Sequence, residues 1–345
     1  MRKVVHLTPY YWPHIGGVET HLQQVNRELL KSHPNLSLSV ITIQHDPTLP
    51  LTETHEGVTI YRLPAKPHAK LSVWSQIWQH LQLLMSADII HIHDIFWWLI
   101  PLLPFLPRRQ LFMTFHGYEG NQLPKWNHVF WRQVAARLTA GSIAIGAFQK
   151  KWYGITPTLV SHGAVESKKQ PVKRKKDTTL KAKKLIFIGR LEADNGIIKY
   201  LEAVKILKAE GKSIKLDVYG DGGLRPTAER FVKKYSLPVT FHGFVDQAAI
   251  NYSQYDLAFA SRYLSILEAL AAGVPVIAQY TNDLQRDYLQ LAPFAQWIAM
   301  AEHPRDISHS LKADTHLPPA AQKWAAQQTW AKLAAVYREL WKAKK

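Results

Sequence analysis

The chain has 345 residues, of which 47% are hydrophobic and 20% charged, a composition that excludes disordered and fibrous proteins and predicts two globular domains. It contains no cysteine, which excludes disulfide frameworks, thiolate metal sites and cysteine nucleophiles. The 43 Lys and Arg residues outnumber the 26 Asp and Glu residues by 17, which indicates an anionic partner: nucleic acid, anionic lipid or a phosphorylated small molecule.

Short apolar runs alternate with longer helical patterns in the first 167 residues. The predicted strands are residues 3–8, 38–43, 89–93, 111–115 and 142–145. The predicted helices are residues 20–32, 71–85 and 126–138. Continuous apolar strands separated by helices predict a parallel sheet covered on both faces.

The net charge is concentrated in one short segment. Residues 1–167 contain 14 basic and 9 acidic side chains, residues 168–184 contain 9 and 1, and residues 185–345 contain 20 and 16. The 17-residue segment KKQPVKRKKDTTLKAKK has few apolar residues, so we interpret residues 168–184 as a basic linker between two domains. A polybasic patch for anionic lipid or nucleic acid is the alternative.

The alternation of strands and helices returns after the linker. The predicted strands are residues 185–189, 216–219, 239–241, 257–260 and 274–278, and the predicted helices are residues 196–209, 224–235 and 264–272. We therefore expect two Rossmann-like domains, residues 1–167 and 185–317, whose parallel sheets face a central cleft, with ligands at the carboxyl ends of the strands. Residues 318–345 predict one last amphipathic helix.

The apolar segments do not predict an exported or membrane-spanning protein. The N-terminal sequence MRKVVHLTPYYWP is too short and too interrupted for a signal peptide, and the longest apolar run, residues 96–106, contains Pro101 and Pro104 and is shorter than a bilayer span. We expect a cytoplasmic protein that lies peripherally on the inner face of the cell membrane. An aromatic and basic face is expected for the lipid interface, with core packing as the alternative for its tryptophans: Trp74, Trp78, Phe96, Trp97, Trp98, Arg108 and Arg109.

Glycines and histidines follow the strands of the first half. Gly16 and Gly17 lie between the first strand and the first helix, where they allow close backbone approach and expose a helix N-terminus to an anion. His91 and His93 end one strand and His116 ends the next. With no third convergent ligand at a usual spacing, we predict no metal site and expect these histidines to form hydrogen bonds.

Arginine and glycine follow the strands of the second half. Gly189 and Arg190 end one strand, and the planar guanidinium of Arg190 suits a phosphate. Gly220 ends the next strand, within the sequence YGDGG. The last strand–helix turn predicts an anion site at a helix N-terminus, and its residues are Arg262, Tyr263, Leu264, Ser265 and, one turn further, Glu268.

The ordered set GGVE, HGYEG, IGRL, YGDGG, FHGFV and LEALAAGVPVIA resembles the retaining GT-B glycosyltransferases of family 4. The resemblance runs from Val4 to about Ala278. It implies an N-terminal acceptor domain, a C-terminal nucleotide-sugar domain, a last helix that packs back on the first domain, and transfer without a metal or any cofactor beyond the nucleotide-sugar co-substrate.

The same resemblance implies roles for individual residues. Gly16 and Gly17 lie against the donor phosphates or the acceptor, and His116 lies near the donor sugar as a candidate catalytic residue. Arg190 holds the diphosphate and Glu268 binds the ribose, which makes both candidate catalytic residues as well. The residues that complete the implied donor site are Gly189, Gly220, Phe244 and Val245 beside the base, and Arg262, Tyr263, Leu264 and Ser265.

Two positions depart from the family pattern. Asn195 replaces the usual lysine that joins the arginine on the diphosphate, and Ala260 replaces the usual second glutamate. Arg262 is a hypothetical source of the missing positive charge.

The leading hypothesis is therefore a hexosyltransferase-type enzyme of cell-surface polysaccharide or glycolipid synthesis. It transfers a sugar from a UDP- or GDP-linked donor to a glycan or a polyprenol- or lipid-linked acceptor, with retention. Two alternatives stay open: a noncatalytic nucleotide-sugar-binding scaffold subunit and a nucleotide-sugar epimerase of the same fold. No recognition motif accompanies the basic charge, so we expect no nucleic-acid partner.

Overall fold

A computed structural model describes residues 2–166, 183–245, 250–312 and 316–342. The described residues fall into two compact units. Unit 1 takes those within Met1–Tyr118, Pro124–Gly163 and Trp330–Lys345, and unit 2 takes those within Glu119–Leu123 and Ala164–Thr329. Each unit is an α/β layer structure built on one mostly parallel sheet.

The sheet of unit 1 has the strand order β3-β4-β2-β1-β5-β6-β7-β8. Its strands are β1 (Arg2–Leu7), β2 (Leu36–Ile43), β3 (Thr52–His55), β4 (Val58–Leu63), β5 (Ile89–His93), β6 (Leu111–His116), β7 (Gly141–Ile145) and β8 (Leu159–Ser161). All pairs are parallel except β3 with β4. In the register Val4 lies opposite Leu38 on β2 and Ile89 on β5. Every residue of β5 is buried, as expected for a strand covered on both faces.

The helices of unit 1 are α1 (Gly17–Ser32), α2 (Lys70–Gln79), α3 (Leu81–Met85), α4 (Trp126–Leu138), α5 (Phe148–Tyr153) and, at the far end of the chain, α12 (Trp330–Lys342). The helix predicted over residues 71–85 is interrupted at His80 and forms α2 and α3. The proline-containing run Phe96–Phe105 is a 3-10 helix, because Pro101 and Pro104 have no N–H to donate.

The sheet of unit 2 has the order β11-β10-β9-β12-β13-β14, and all its pairs are parallel. Its strands are β9 (Lys183–Ile188), β10 (Ile214–Tyr219), β11 (Val239–Gly243), β12 (Leu257–Phe259), β13 (Val276–Gln279) and β14 (Ile298–Ala301). Its helices are α6 (Ile197–Ala209), α7 (Arg225–Lys234), α8 (Tyr263–Ala271), α9 (Asp283–Gln290), α10 (Pro304–Lys312) and α11 (Pro319–Ala326). In the core, α6 packs on the sheet, and buried Tyr200 of α6 stacks on Phe259 of β12 at 4.3 Å.

The C-terminal tail differs from the prediction of one helix. Residues 318–342 form α11, which belongs to unit 2, and α12, which belongs to unit 1. Of the predicted linker at residues 168–184, only Lys183 and Lys184 are among the described residues, and both lie in β9; the rest of that prediction lies outside them.

Across the described ranges, no helix combines the length and the apolar character needed to cross a membrane. The predicted aromatic face is partly wrong. Phe96 and Trp98 are core residues, 4% and 1% exposed, because the 3-10 helix turns both rings inward. Trp78 is 47% exposed, as expected for a surface position.

Candidate functional site

The turn between β1 and α1 positions the predicted glycine pair. Gly16 is the N-cap of α1, and a Cβ atom there would lie 2.3 Å from Oε2 of Glu19, so any other residue would displace the Glu19 carboxylate. Glu19 is buried, and its Oε1 accepts a hydrogen bond from His14 Nδ1 at 2.8 Å. A carboxylate thus already lies at the positive end of this helix.

His116 lies where the carboxyl ends of β5 and β6 meet. Its backbone N–H donates to the Asp94 carboxylate, at 3.0 Å from Oδ1. Its ring Nε2 is 2.9 Å from His93 Nδ1, and His93 Nε2 is in turn 3.1 Å from His6 Nδ1. Three imidazoles on three neighbouring strands therefore form one hydrogen-bonded row that leads inward from His116.

A second polar row begins in α12. The indole N–H of Trp341 donates to His91 Nδ1 at 2.9 Å, which makes His91 the Nε2–H tautomer, and that N–H donates to Thr114 Oγ1 at 2.7 Å. Tyr337 OH continues the row, at 3.1 Å from Thr114 Oγ1 and 2.8 Å from His21 Nε2. The tyrosine and the tryptophan of this row both lie in α12.

Burial keeps these histidines neutral. Desolvation lowers the pKa of His6 and of His21 to about 3, and it lowers the pKa of His91, His93 and His116 well below the usual range. In the described part of the chain, no three His, Cys, Asp or Glu side chains are arranged to hold a metal ion. The geometry of the histidines is that of a hydrogen-bond network.

In unit 2 the first predicted phosphate ligands lie at the end of β9. Gly189 N–H donates to the Tyr219 carbonyl at 3.1 Å, and a Cβ atom on Gly220 would lie 2.0 Å from the Gly189 carbonyl oxygen. The two strand ends therefore approach as closely as glycine allows. The Arg190 side chain extends from this point into solvent and is 57% exposed.

Arg262 lies beside Arg190. Both guanidinium groups contact the carboxylate of Asp194, Arg190 at 3.3 Å. Arg262 Nε also donates to Asn195 Oδ1 at 2.8 Å, and the Asn195 amide donates to the Arg190 carbonyl at 2.9 Å. Asn195 and Asp194 thus hold two arginines together at one edge of the sheet.

The N-terminus of α8 lies directly after Arg262. Its first intrahelical bond runs from Ile266 N–H to the Arg262 carbonyl, so the N–H groups of Leu264 and Ser265 come before that bond. Tyr263 is buried: its N–H donates to Tyr288 OH, and its own hydroxyl donates to the Tyr288 carbonyl. Ser265 is also buried. Backbone groups of this turn, rather than its side chains, are suited to an anion.

Glu268 lies one turn into α8. Its Oε2 accepts a 2.6 Å hydrogen bond from the hydroxyl of buried Tyr252. Burial and the Glu268 carboxylate raise the pKa of Tyr252 well above its ordinary value, so the phenol stays a donor. The last two predicted donor residues, Phe244 and Val245, are 51% and 40% exposed after β11.

Two family descriptions match this chain. Residues 15–165 match Glycosyltransferase Family 4, and residues 168–326 match Glycosyl transferases group 1. The chain is a GT-B glycosyltransferase of family 4.

Curated relatives are about one quarter identical to this glycosyltransferase over the regions that align. It is 23% identical to the GDP-mannose:cellobiosyl-diphosphopolyprenol alpha-mannosyltransferase of Xanthomonas campestris over 234 residues, which cover 63% of this chain and 60% of the relative. It is 27% identical to the GDP-mannose-dependent alpha-(1-6)-phosphatidylinositol dimannoside mannosyltransferase of Mycobacterium tuberculosis over 164 residues, or 44% and 42% of the two chains. The matches thus cover less than two thirds of the relatives' lengths.

A solved structure shows the same fold along the whole glycosyltransferase. The sucrose-phosphate synthase of Thermosynechococcus elongatus superimposes with a TM-score of 0.77 at 17% identity, and the alignment covers 100% of both chains. The two parallel-sheet domains described above are thus those of a GT-B enzyme.

Sequence reasoning missed two residues of the candidate site in unit 2, Asp194 and Tyr252. Asp194 joins Arg190 to Arg262, and its spacing of four residues from Arg190 was the available signal. Tyr252 binds Glu268 from a segment 16 residues earlier, and nothing in its local sequence indicates this contact. Both become visible only once β12 and α8 are in place.

Proposed function

We propose that this glycosyltransferase transfers a hexose from a nucleoside diphosphate sugar to a lipid-linked or glycan acceptor, with retention of the anomeric configuration. The observation that carries the proposal is the pair Arg190 and Arg262 beside the N-terminus of α8. Both curated relatives named above are described as GDP-mannose-dependent, so GDP-mannose is the first donor to test.

The paired arginines suit the diphosphate of such a donor. Negative charge develops on the leaving diphosphate as the bond to the anomeric carbon breaks. The two guanidinium groups supply fixed positive charge to the leaving diphosphate. The N–H groups of Leu264 and Ser265 supply hydrogen-bond donors to it. In this proposal they do the work of a metal ion, and the reaction needs no cofactor other than the donor itself.

The carboxylate of Glu268 suits the ribose. Ionised, it accepts hydrogen bonds from hydroxyl groups, and the bond from Tyr252 fixes one of its oxygens. Phe244 and Val245 are exposed apolar side chains of the kind that a nucleobase covers. Gly189 and Gly220 let the ends of β9 and β10 lie against each other beside these residues.

Asp194 adds a further polar group. Its side chain is 10% exposed, and its Oδ1 is buried without a hydrogen-bond partner among the described residues. A buried carboxylate oxygen that accepts no hydrogen bond costs free energy unless a ligand donates one. We propose that a hydroxyl group of the nucleotide sugar donates this hydrogen bond.

In unit 1, His116 is proposed to bind hydroxyl groups of the transferred sugar as a neutral imidazole. Gly16 and Gly17 suit the acceptor better than the donor phosphates, the two roles that the family resemblance leaves open. The reason is Glu19, whose carboxylate at the start of α1 would repel a phosphate.

The reaction is tested by incubating the purified chain with radiolabelled GDP-mannose, and in parallel with UDP-glucose and UDP-N-acetylglucosamine, together with a polyprenol-containing lipid extract. Transfer of label into the lipid fraction, with the alpha anomer retained in NMR spectra of the product, is the expected result. No binding and no transfer with any donor would contradict the proposal.

Asn195 and Ala260 favour a second candidate, a noncatalytic nucleotide-sugar-binding subunit, because they replace a cation and a carboxylate of the family pattern. Calorimetry that shows donor binding, together with product analysis that shows neither transfer nor hydrolysis, would support that candidate. Conversion of the free nucleotide sugar into its epimer would instead identify an epimerase.

A further inference from the structure

Three imidazoles, those of His116, His93 and His6, form what we term the histidine row. They lie on β6, β5 and β1, which are neighbours in the sheet of unit 1. His116 Nε2 is 2.9 Å from His93 Nδ1, and His93 Nε2 is 3.1 Å from His6 Nδ1. His93 and His6 are fully buried, whereas His116 is partly exposed. The histidine row therefore has one end in the core and the other at the carboxyl edge of the sheet.

The histidine row contains a fixed number of N–H groups. Burial lowers the pKa of all three imidazoles, so each ring is neutral and has one N–H. Each of the two hydrogen bonds between the rings uses one of these N–H groups as its donor. The third N–H therefore lies at an end of the row, either on His6 Nε2 in the core or on His116 Nδ1 at the edge.

The inner end offers no acceptor for this third N–H. His6 Nε2 is buried and has no hydrogen-bond partner among the described residues. The rings of His91 and Trp341 lie 5.6 and 6.0 Å from the His6 ring, but both are already paired. The Trp341 N–H donates to His91 Nδ1, and His91 Nε2–H donates to Thr114. Buried N–H groups without an acceptor are rare, whereas buried acceptors without a donor occur more often. His6 Nε2 is therefore bare.

The bare nitrogen at the inner end sets the direction of both hydrogen bonds. His6 Nδ1–H donates to His93 Nε2, so the N–H of His93 lies on Nδ1 and donates to His116 Nε2. In a neutral histidine, the bond that one ring nitrogen makes decides which nitrogen carries the proton. The N–H of His116 is therefore on Nδ1, which has no hydrogen-bond partner within the described ranges. This N–H is available to a ligand.

We infer that His93 and His6 are positioning residues that hold His116 as the Nδ1–H tautomer, so that His116 donates a hydrogen bond to an oxygen atom of the transferred sugar. This inference rests on the proposed function, which supplies the sugar, and adds the direction of the bond. Because Nδ1 already carries a proton, His116 does not act as a general base there. A sugar with a protonated amino group at the contacted position is rejected, because two donors would face each other.

NMR spectroscopy of the full chain with ¹⁵N-labelled histidine tests the tautomer without any substrate. Ring nitrogens with and without a proton have widely separated ¹⁵N shifts, and intermediate shifts report exchange between the two tautomers. The signals of His116 are identified by their absence from the spectrum of His116→Leu. A protonated Nδ1 and a bare Nε2 are the expected result. A bare Nδ1, or intermediate shifts for both nitrogens, would overturn the inference.

Two variants separate positioning from packing. His93→Ala removes the middle ring, and water in the vacated polar space can donate or accept, so both nitrogens of His116 are expected to move to intermediate shifts. Thr114→Val is the matched control, because it breaks the buried hydrogen bond from His91 beside the row; His116 is expected to keep its natural shifts. Unchanged shifts in His93→Ala, or equal changes in both variants, would show that the row does not set the tautomer. The spectrum of the natural chain tests the tautomer even if a variant does not fold.

The transfer assay tests the bond to the sugar. His116→Asn keeps an N–H donor near the position of Nδ1, whereas His116→Leu has a side chain of similar size without a donor. The kcat/KM of the asparagine variant is expected to exceed that of the leucine variant about two- to tenfold, the range for one neutral hydrogen bond. Equal values would overturn the bond. Absence of transfer by the natural chain would contradict the proposed function, whereas a bare Nδ1 in a chain that transfers sugar would contradict only this inference.

Discussion

In the proposed donor site, Arg262 supplies the positive charge that Asn195 lacks, and the position of its guanidinium depends on Asn195 itself. The asparagine amide donates to the Arg190 carbonyl while its oxygen accepts from Arg262 Nε. A lysine at position 195 would lack this acceptor and would repel Arg262. The departure from the family pattern at 195 and the arginine at 262 therefore form one arrangement.

The first prediction concerns this arginine. Arg262→Ala is expected to weaken the binding of GDP and of the nucleotide-sugar donor about ten- to hundredfold, because a charge-assisted hydrogen bond contributes about 1.5–3 kcal/mol. Arg262→Lys recovers only part of the affinity, since an ammonium cannot bridge Asp194 and a phosphate as a planar fork does.

Isothermal titration calorimetry measures this effect. Arg286→Ala is the matched control, because Arg286 is a half-exposed arginine that pairs with Asp283 on α9. Unchanged GDP affinity in Arg262→Ala, or equal losses in both variants, would show that Arg262 does not bind the diphosphate.

At the scale of helices and strands, the sequence predicts some elements correctly and others not. The strands that end at Ile188, His116 and Tyr219 could be located because the sequence of a buried parallel strand is a run of apolar residues. The break at His80 and the two helices after residue 318 could not, because amphipathic periodicity continues across both. Phe96 and Trp98 were misplaced for a related reason: an aromatic run has the same composition in a protein core as at a lipid interface. Asp194 and Tyr252 meet their partners only through the packed fold.

The second prediction belongs to α12. Tyr337→Phe is expected to lower the free energy of unfolding by about 1–3 kcal/mol, because Thr114 and His21 lose a buried partner. Urea denaturation monitored by circular dichroism measures the change. Tyr61→Phe, at a partly exposed position, is expected to stay within about 0.5 kcal/mol of the natural chain; a similar loss in both variants would contradict the role of the row.

The third prediction belongs to the strands that carry the buried histidines. An unfolded histidine has a pKa of about 6.5, whereas the folded pKa of His6 and of His21 is about 3. Below pH 6.5 the unfolded chain therefore binds more protons, so the stability present at neutral pH is lost as the pH falls from about 6.5 toward 3. Each such histidine contributes a slope of about 1.4 kcal/mol per pH unit in that window.

Thermal melts at half-unit steps from pH 7.5 to pH 4.5 measure this slope. His6→Gln is expected to reduce it, and the exposed His68→Gln is expected to leave it unchanged. A Tm that does not vary between pH 6.5 and pH 4.5 would contradict the burial of neutral histidines.

At the scale of the whole molecule, each unit has its own sheet and its own set of ligand-suited residues. The residues proposed to bind the diphosphate and the ribose all lie in unit 2, and the histidine network lies wholly in unit 1. The family descriptions divide the chain in a similar place, at residues 165 and 168. Binding of the nucleotide-sugar donor is therefore expected to affect residues of unit 2 and not those of unit 1.

The fourth prediction is that GDP at about 100 times its Kd, which stabilises a binding unit by about 2.7 kcal/mol, slows amide exchange in unit 2. The protection is expected near residues 189–195 and 262–268, while α4 exchanges as before. Hydrogen–deuterium exchange with mass spectrometry measures it. Protection confined to unit 1, or spread evenly over both units, would contradict the assignment of the donor to unit 2.

The position of α12 has a consequence for biosynthesis. Unit 1 is discontinuous: its sheet is complete by Ser161, but Tyr337 and Trp341, which pair with His21, Thr114 and His91, are translated after all of unit 2. At 5–20 residues per second, ribosomes need on the order of ten seconds or more for that stretch. Until then the nascent first unit exposes buried imidazoles without their partners. Synthesis of α12, rather than emergence of the first 163 residues, completes unit 1.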